Sequence, residues 1–184
     1  MKQTIFTILS NTALTDSVYK MVLEGDTSAI TASGQFVNIQ LTGKFLRRPI
    51  SVCDYDEKTL TIVYKVVGKG TEQMSAMVPG EKLDVLTGLG NGYDLTLAGD
   101  APLLIGGGVG VPPMYNLAKK LTAMGKTVTV ILGFNTKSEI FYEEEFKALG
   151  CRVTVTTVDG SYGTKGFVTN ALPGYYSHFY TCGP

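Results

Sequence analysis

The apolar residues of this chain change their spacing near residue 98, and no single regular architecture accommodates both patterns. Before that point they recur at every second position. Thr4-Ile5-Phe6-Thr7-Ile8-Leu9, Tyr19 to Leu23, Gln35 to Leu41, Thr59 to Val67 and Leu83 to Leu86 all read as strands. Turn residues interrupt them at short intervals, as at Glu24-Gly25-Asp26, Thr42-Gly43-Lys44 and Pro79-Gly80-Glu81. Short alternating strands spaced this way predict an antiparallel barrel or sandwich. One short helix fits at Thr71 to Met77, with Thr71 as its cap and Pro79-Gly80 as its stop.

After Ala98-Gly99-Asp100-Ala101, strands alternate with helices. Pro102 to Ile105, Thr127 to Leu132, Cys151 to Thr157 and Tyr175 to Tyr180 read as strands. Pro112 to Met124, Ser138 to Leu149 and Gly166 to Leu172 read as the helices between them. That order predicts a doubly wound parallel sheet. The expected division is residues 1–98 for the barrel and 99–184 for the α/β domain. The fourth parallel strand runs into Thr181-Cys182-Gly183-Pro184 with no helix after it, so the chain is expected to be a piece of a longer protein.

Charge excludes several partners. Lys and Arg together number 16, as do Asp and Glu, so no basic excess holds a nucleic acid or an anionic membrane. No apolar run approaches the roughly 18 residues of a membrane span, and the first residues read as a strand rather than a signal peptide. Cys53, Cys151 and Cys182 are far apart and odd in number, which argues against a disulfide framework and for a reduced, cytoplasmic setting. His178 has no partners at metal-ligand spacing, so no metal site is expected among these residues.

Glycine is the compositional outlier, 22 residues in all, and its clusters mark the candidate sites. Gly106-Gly107-Gly108-Val109-Gly110-Val111-Pro112-Pro113 lies between a strand and a helix, where a tight turn, a close backbone approach and a helix N-terminus suit a pyrophosphate. Arg48-Pro49-Ile50-Ser51 places a guanidinium on an extended segment, where it could clamp a phosphate through two nitrogens. Val66-Val67-Gly68-Lys69-Gly70-Thr71 offers backbone N–H groups at the start of the short helix. Gly88-Leu89-Gly90-Asn91-Gly92 either links the halves or lets something large approach.

In this order these motifs resemble the ferredoxin reductase superfamily, which joins an antiparallel flavin-binding barrel to a nicotinamide nucleotide domain. Arg48-Pro49-Ile50-Ser51 is similar to its Arg-x-x-Ser flavin motif, and Gly68-Lys69-Gly70-Thr71 to its second flavin contact. Gly106 to Pro113 is similar to its nicotinamide loop, and Cys182-Gly183-Pro184 to its late Cys-Gly-Pro. Within the superfamily the chain resembles the electron-transfer subunits of NAD-linked (class 1B) dihydroorotate dehydrogenases. Arg47 to Ser51, Tyr64 to Thr71, Leu89 to Tyr93, Gly133-Phe134 and Asp159 to Gly166 carry that likeness. Thr87-Gly88 stands where that family tends to have Gly-Pro.

The resemblance implies an NADH-dependent flavoprotein of pyrimidine biosynthesis. It implies FAD held by Arg48, Pro49, Ile50 and Ser51, by the backbone of Val63, Tyr64 and Lys65, and by Gly70 and Thr71. It implies NADH on Gly107, Gly108, Val109, Gly110 and Pro112, with Cys182, Gly183 and Pro184 at its nicotinamide. Ser51 and Cys182 are then the residues nearest the hydride transfer to flavin N5. Electrons would leave through a [2Fe–2S] centre, whose cysteine cluster this sequence does not contain, to a catalytic FMN-containing dihydroorotate dehydrogenase subunit in a heterotetramer. Gly133 to Lys137 holds one lysine and no arginine, which leans to NAD over NADP. Two other readings remain: a flavin subunit serving ferredoxin or sulfur chemistry, and a nucleotide-binding module without electron transfer.

Overall fold

The computed structural model describes the whole chain, Met1–Pro184, as two compact units, Met1–Gly92 and Tyr93–Pro184. The first is a closed antiparallel barrel of six strands: β1 (Lys2–Ala13), β2 (Val18–Glu24), β3 (Phe36–Gln40), β4 (Arg48–Tyr55), β5 (Thr59–Lys65) and β6 (Lys82–Leu89). Their order around the barrel is β1-β2-β5-β4-β3-β6, a Greek-key path. The period-two pattern becomes an inside and an outside. Phe6, Ile8, Met21, Leu23, Val37, Ile39, Leu60, Ile62, Leu83 and Val85 fill the interior, and Met74 of α1 (Lys69–Ser75) packs among them. Closure leaves this sheet no free edge.

Three details of the first unit differ from the sequence expectation. Arg48-Pro49-Ile50-Ser51, expected only as an extended segment, opens a full strand. Pro49 is exposed and opposite Asn38, at the outset of the strand where a missing N–H is tolerated. The helix starts two residues earlier than Thr71. Thr71 sits in its first turn, and its hydroxyl accepts from the N–H of Val67 (2.9 Å) and Gly68 (3.3 Å) while donating to Gly68 O (3.1 Å). The glycine run at 88–92 is not free linker. A side chain at Gly88 or Gly92 would strike Ala29 O at 2.6 Å or Ala32 Cβ at 2.5 Å.

The second unit is a five-stranded parallel sheet, ordered β10-β9-β8-β7-β11. Its strands are β7 (Leu103–Gly107), β8 (Thr129–Phe134), β9 (Arg152–Thr157), β10 (Thr164–Lys165) and β11 (Phe179–Cys182). Leu103-Leu104 and Val130-Ile131-Leu132 are buried without alternation, as both faces are covered. Helix α2 (Pro112–Ala123) turns Met114, Leu117, Ala118 and Leu121 inward at helical spacing.

The helix expected over Ser138 to Leu149 is shorter. Lys137–Glu139 is a single 3-10 turn, Ile140 is extended, and α3 spans only Glu143–Ala148. Tyr142, immediately before it, has φ +69°, the single non-glycine residue with positive φ. Its ring, 4% exposed, lies edge-on to Tyr115 and Phe146, and that packing holds a conformation a bulky side chain otherwise avoids. Gly166 to Leu172 holds only a 3-10 turn at Val168–Ala171, and the last strand begins at Phe179, beyond the Pro173-Gly174 turn.

Candidate functional site

The two adjacent arginines do different work. Arg47 is committed within the barrel wall: it pairs with Asp84 at 3.0 Å and donates to the carbonyls of Asn38 (3.2 Å) and Asp84 (3.3 Å). Gln3 holds the other Asp84 oxygen at 2.7 Å. Arg48 meets no carboxylate. Its guanidinium donates only to Leu46 O (2.7 Å) and Arg47 O (3.4 Å). The side chain lies across the start of α1, where a Cβ at Gly70 would come within 2.1 Å of Arg48 Nε. At Gly68 an added Cβ would meet nothing within 4 Å. A cation with unspent donors therefore borders an open, hydroxyl-closed turn, which fits a phosphate group.

Ser51 is half-buried on β4, and its hydroxyl makes no hydrogen bond within the chain. Val63 and Tyr64 point to opposite faces of β5. Tyr64 lies inside the barrel, stacked 6.0 Å from Tyr19, so it can meet a ligand only through its backbone. Burial pushes its hydroxyl up to about 12.

In the second unit the strand order reverses at β7, with β8 on one side and β11 on the other. The crevice at such a reversal, beyond the carboxyl ends of the strands, is where open α/β sheets bind ligands. Gly107 ends β7 and Gly108–Gly110 forms a 3-10 turn there. These glycines divide by role. A Cβ at Gly110 would sit 2.2 Å from Cys182 O, and one at Gly106 would sit 2.7 Å from Val111 Cα. Both positions are occupied by the protein itself. Gly108, at φ +50°, faces open space, and Val109 is 43% exposed beside it.

Pro112 and Pro113, both buried, supply no N–H, and the Met114 N–H is bonded to Val111 O. Any anion here meets the 108–110 turn rather than the first turn of α2. The sequence had set it at both.

Cys182 ends β11, half-buried, with Gly183 packed on Gly107. Burial raises its thiol, while the nearby Tyr93 hydroxyl and Gly183 N–H pull the other way. Tyr93, which the sequence singled out only as the end of the Leu89 to Tyr93 stretch, holds this corner: its hydroxyl donates to Thr181 O (3.4 Å) and its ring lies edge-on to Tyr180 at 5.6 Å. Cys151 is buried at the foot of β9 and is pushed up to about 11 by burial. The thiols at 151 and 182 bind their protons more tightly in the folded chain than in the unfolded one. Their contribution to stability is complete below about pH 8 and is lost as pH rises through 9 toward 11. Urea unfolding from pH 8 to 11 should therefore show a falling midpoint, and Cys151→Ala should flatten part of the fall. A midpoint as steep in the variant as in the parent would count against this origin.

No group of three or more His, Cys, Asp or Glu side chains gathers as a metal site. The three cysteines lie in β4, before β9 and in β11. The residues present therefore do not fit an iron–sulfur centre.

A closed six-stranded barrel followed by a parallel sheet, with a glycine turn at the strand reversal, defines a ferredoxin reductase-like oxidoreductase fold. Residues 104–184 match the family described as Oxidoreductase NAD-binding domain. The chain is 44% identical over 180 residues to the dihydroorotate dehydrogenase B (NAD(+)) electron transfer subunit of Bacillus pumilus, covering 94% of this chain and 69% of that protein. It is 42% identical to the subunit of the same name from Listeria innocua, covering all of this chain and 76% of that one. The chain belongs to the family of dihydroorotate dehydrogenase B electron transfer subunits. Among solved structures, an NADH-dependent reduced ferredoxin-NADP oxidoreductase is 35% identical, with a TM-score of 0.81 over 91% of this chain; the chain spans 62% of that one. A ferredoxin NADP+ reductase from Neisseria gonorrhoeae, solved with FAD and NADP, shares the fold at 19% identity, with a TM-score of 0.83 over 99% of this chain and 85% of that one.

Proposed function

We propose that the chain carries electrons from NADH to FAD, and that they serve a partner dihydroorotate dehydrogenase. The observation that carries this is Arg48, free of carboxylates and laid across Gly70 beside the open turn at Gly68, in a chain of this family. In this reading Arg48 holds the flavin dinucleotide's phosphates, with Pro49 and Ile50 setting the edge of the cradle. The backbone of Val63 to Lys65 and of Gly70 and Thr71 completes it. Ser51 offers its unspent hydroxyl to the flavin ring. Bound FAD would supply the hydride acceptor.

The turn at Gly107 to Gly110, followed by Pro112, receives the NADH pyrophosphate, chiefly through the backbone at 108–110. Cys182, Gly183 and Pro184 close the nicotinamide end, where a protonated Cys182 is a small neutral wall rather than a nucleophile. Lys137 is the single cation at the end of β8. Its ammonium lies 5.8 Å from the centre of the Tyr162 ring, and the neighbouring Asp159 carboxylate is held ionised by hydrogen bonds from Ser161. A carboxylate there suits a ribose diol and disfavours a 2′-phosphate, consistent with NAD.

The partner in this reading is the catalytic, FMN-containing subunit, assembled with this one as a heterotetramer in the cytoplasm. No helix is long and apolar enough to cross a membrane. Identity of 44% to dihydroorotate dehydrogenase B subunits, against 35% to the ferredoxin-linked enzyme, favours this partner over a ferredoxin.

The test is a visible spectrum. After incubation with FAD and removal of the excess, the protein should be yellow, and NADH should bleach it under nitrogen. A colourless protein that takes up no FAD defeats the reading. Faster bleaching by NADPH than by NADH defeats its nicotinamide assignment.

A further inference from the structure

Asn11 occupies an inward position of β1, opposite Met21, in a barrel otherwise filled with apolar side chains. An asparagine there is poorly suited to a strand and costly to bury unless its amide is satisfied. It is satisfied completely. Its Nδ2 donates to Met74 O and Met77 O, both at 2.9 Å, and lies 3.4 Å from Ser75 O. Its Oδ1 accepts from the Tyr64 hydroxyl at 3.0 Å, and Tyr64 is 2% exposed and stacked on Tyr19.

Met74 and Ser75 end α1, and Met77 follows its C-cap, Ala76. That helix has seven residues, no basic residue in its last turn and an alanine at its C-cap. A helix this short is marginal by itself, and its last carbonyls need partners from outside. Asn11 supplies them from a strand 63 to 66 residues away in sequence.

The opposite end of α1 is the Gly68–Thr71 turn over which Arg48 lies. The helix is too short and too firmly joined to that turn for one end to move alone. We infer that Asn11 is a positioning residue for the flavin cradle: it fixes α1 from its far end, with Tyr64 orienting its amide. Asn11 touches the cradle directly only at the Tyr64 hydroxyl, on the far side of β5 from any ligand, and otherwise acts through the helix. The inference rests on the flavin reading above.

The experiment compares Asn11→Ala, Asn11→Asp and Tyr64→Phe with a barrel control, Leu23→Val, on the full chain. Leu23 lies at the other end of β2 from Tyr19. Two quantities are read: FAD dissociation constants by flavin fluorescence, and amide hydrogen exchange over residues 69–77 without flavin. Asn11→Ala should weaken FAD binding at least tenfold and speed exchange over α1. Asn11→Asp, which still accepts from Tyr64 but turns an anion toward the carbonyls, should be at least as weak. Tyr64→Phe should weaken binding severalfold, and Leu23→Val should leave binding within twofold and exchange over α1 unchanged.

Unchanged affinity and exchange in the folded Asn11 variants overturn the inference, as does an equal loss in Leu23→Val. If the Asn11 variants do not fold, Tyr64→Phe decides: parent-like affinity overturns the positioning role. A parent protein that binds no FAD defeats the flavin reading instead, and exchange over α1 then decides whether the clamp exists.

Discussion

Gly110→Ala should destabilise the second unit by about 3 kcal/mol or more and remove NADH binding. The added methyl would lie 2.2 Å from Cys182 O, 2.4 Å from its carbonyl carbon and 2.7 Å from Gly183 Cα. All three are backbone atoms of the segment that ends β11, which pairs with β7 from Leu103 to Gly106. No rotamer change relieves that overlap. Either the glycine turn or the Cys182-Gly183 segment must leave its place. Gly108→Ala is the informative contrast. It meets nothing within 4 Å but must hold φ +50°, which costs roughly 1–2 kcal/mol. It should lose no more than that roughly 1–2 kcal/mol of stability, less than Gly110→Ala, while binding NADH more weakly, because its methyl projects where a ligand would lie. Urea unfolding with an NADH titration separates the two. A Gly110→Ala protein within 1 kcal/mol of the parent would show that the segments part easily, and the packing argument would fall.

Arg48→Ala should weaken FAD binding by about 1–3 kcal/mol, the range for a charge-assisted hydrogen bond lost from a phosphate. Stability should change little, since Arg48 pairs with no carboxylate and Arg47 carries the ion pair to Asp84. Arg48→Lys should recover only part of the affinity, because an ammonium lacks the planar fork. Gly70→Ala should imitate Arg48→Ala with the arginine still present. Its methyl would displace Arg48 Nε, the middle of a flexible side chain, so the guanidinium moves and the fold persists. Equal FAD affinity in Arg48→Ala and parent would remove the guanidinium from the site.

Those two glycines mark where sequence reading stopped. Glycine-rich loops beside a strand and a helix were legible as sites because they follow a general rule about phosphates. Which glycine faces the ligand and which faces the protein was not legible. Gly110 is fixed by Cys182, which is distant in the chain, and Gly70 by Arg48 on another strand. The barrel and the parallel sheet were readable for the opposite reason, since alternation in Thr59 to Lys65 or Lys82 to Leu89 is local and repeats. β4 escaped because an arginine and a proline open it, and its pattern breaks at a bulge near Cys53. Asn11 carried a signal, a polar residue on the apolar face of β1, but its meaning depended on the carbonyls of a helix no local pattern could bring near. The helix that carries Phe146 was expected too long because nothing local announces a left-handed Tyr142; the three aromatic rings around it, Tyr115, Phe141 and Phe146, do that work.

The closure of the barrel also bears on how the first unit folds. β4 and β5 are joined by three residues, and α1 follows β5 directly, so the Arg48 cradle is made from contacts short in sequence. The seam that closes the barrel pairs Lys2 with Thr87 and Thr7 with Lys82, the two ends of the unit. Joining ends that far apart carries the largest loop-closure entropy in the unit, and such distant pairings are what slow a β-rich chain. Asn11 lies beyond that seam, in the part of β1 that pairs with β2, and clasps a helix 63 to 66 residues away in sequence. The short-range contacts around Arg48 can thus form before the barrel shuts, and the long-range clasp of Asn11 on α1 is added to them afterwards.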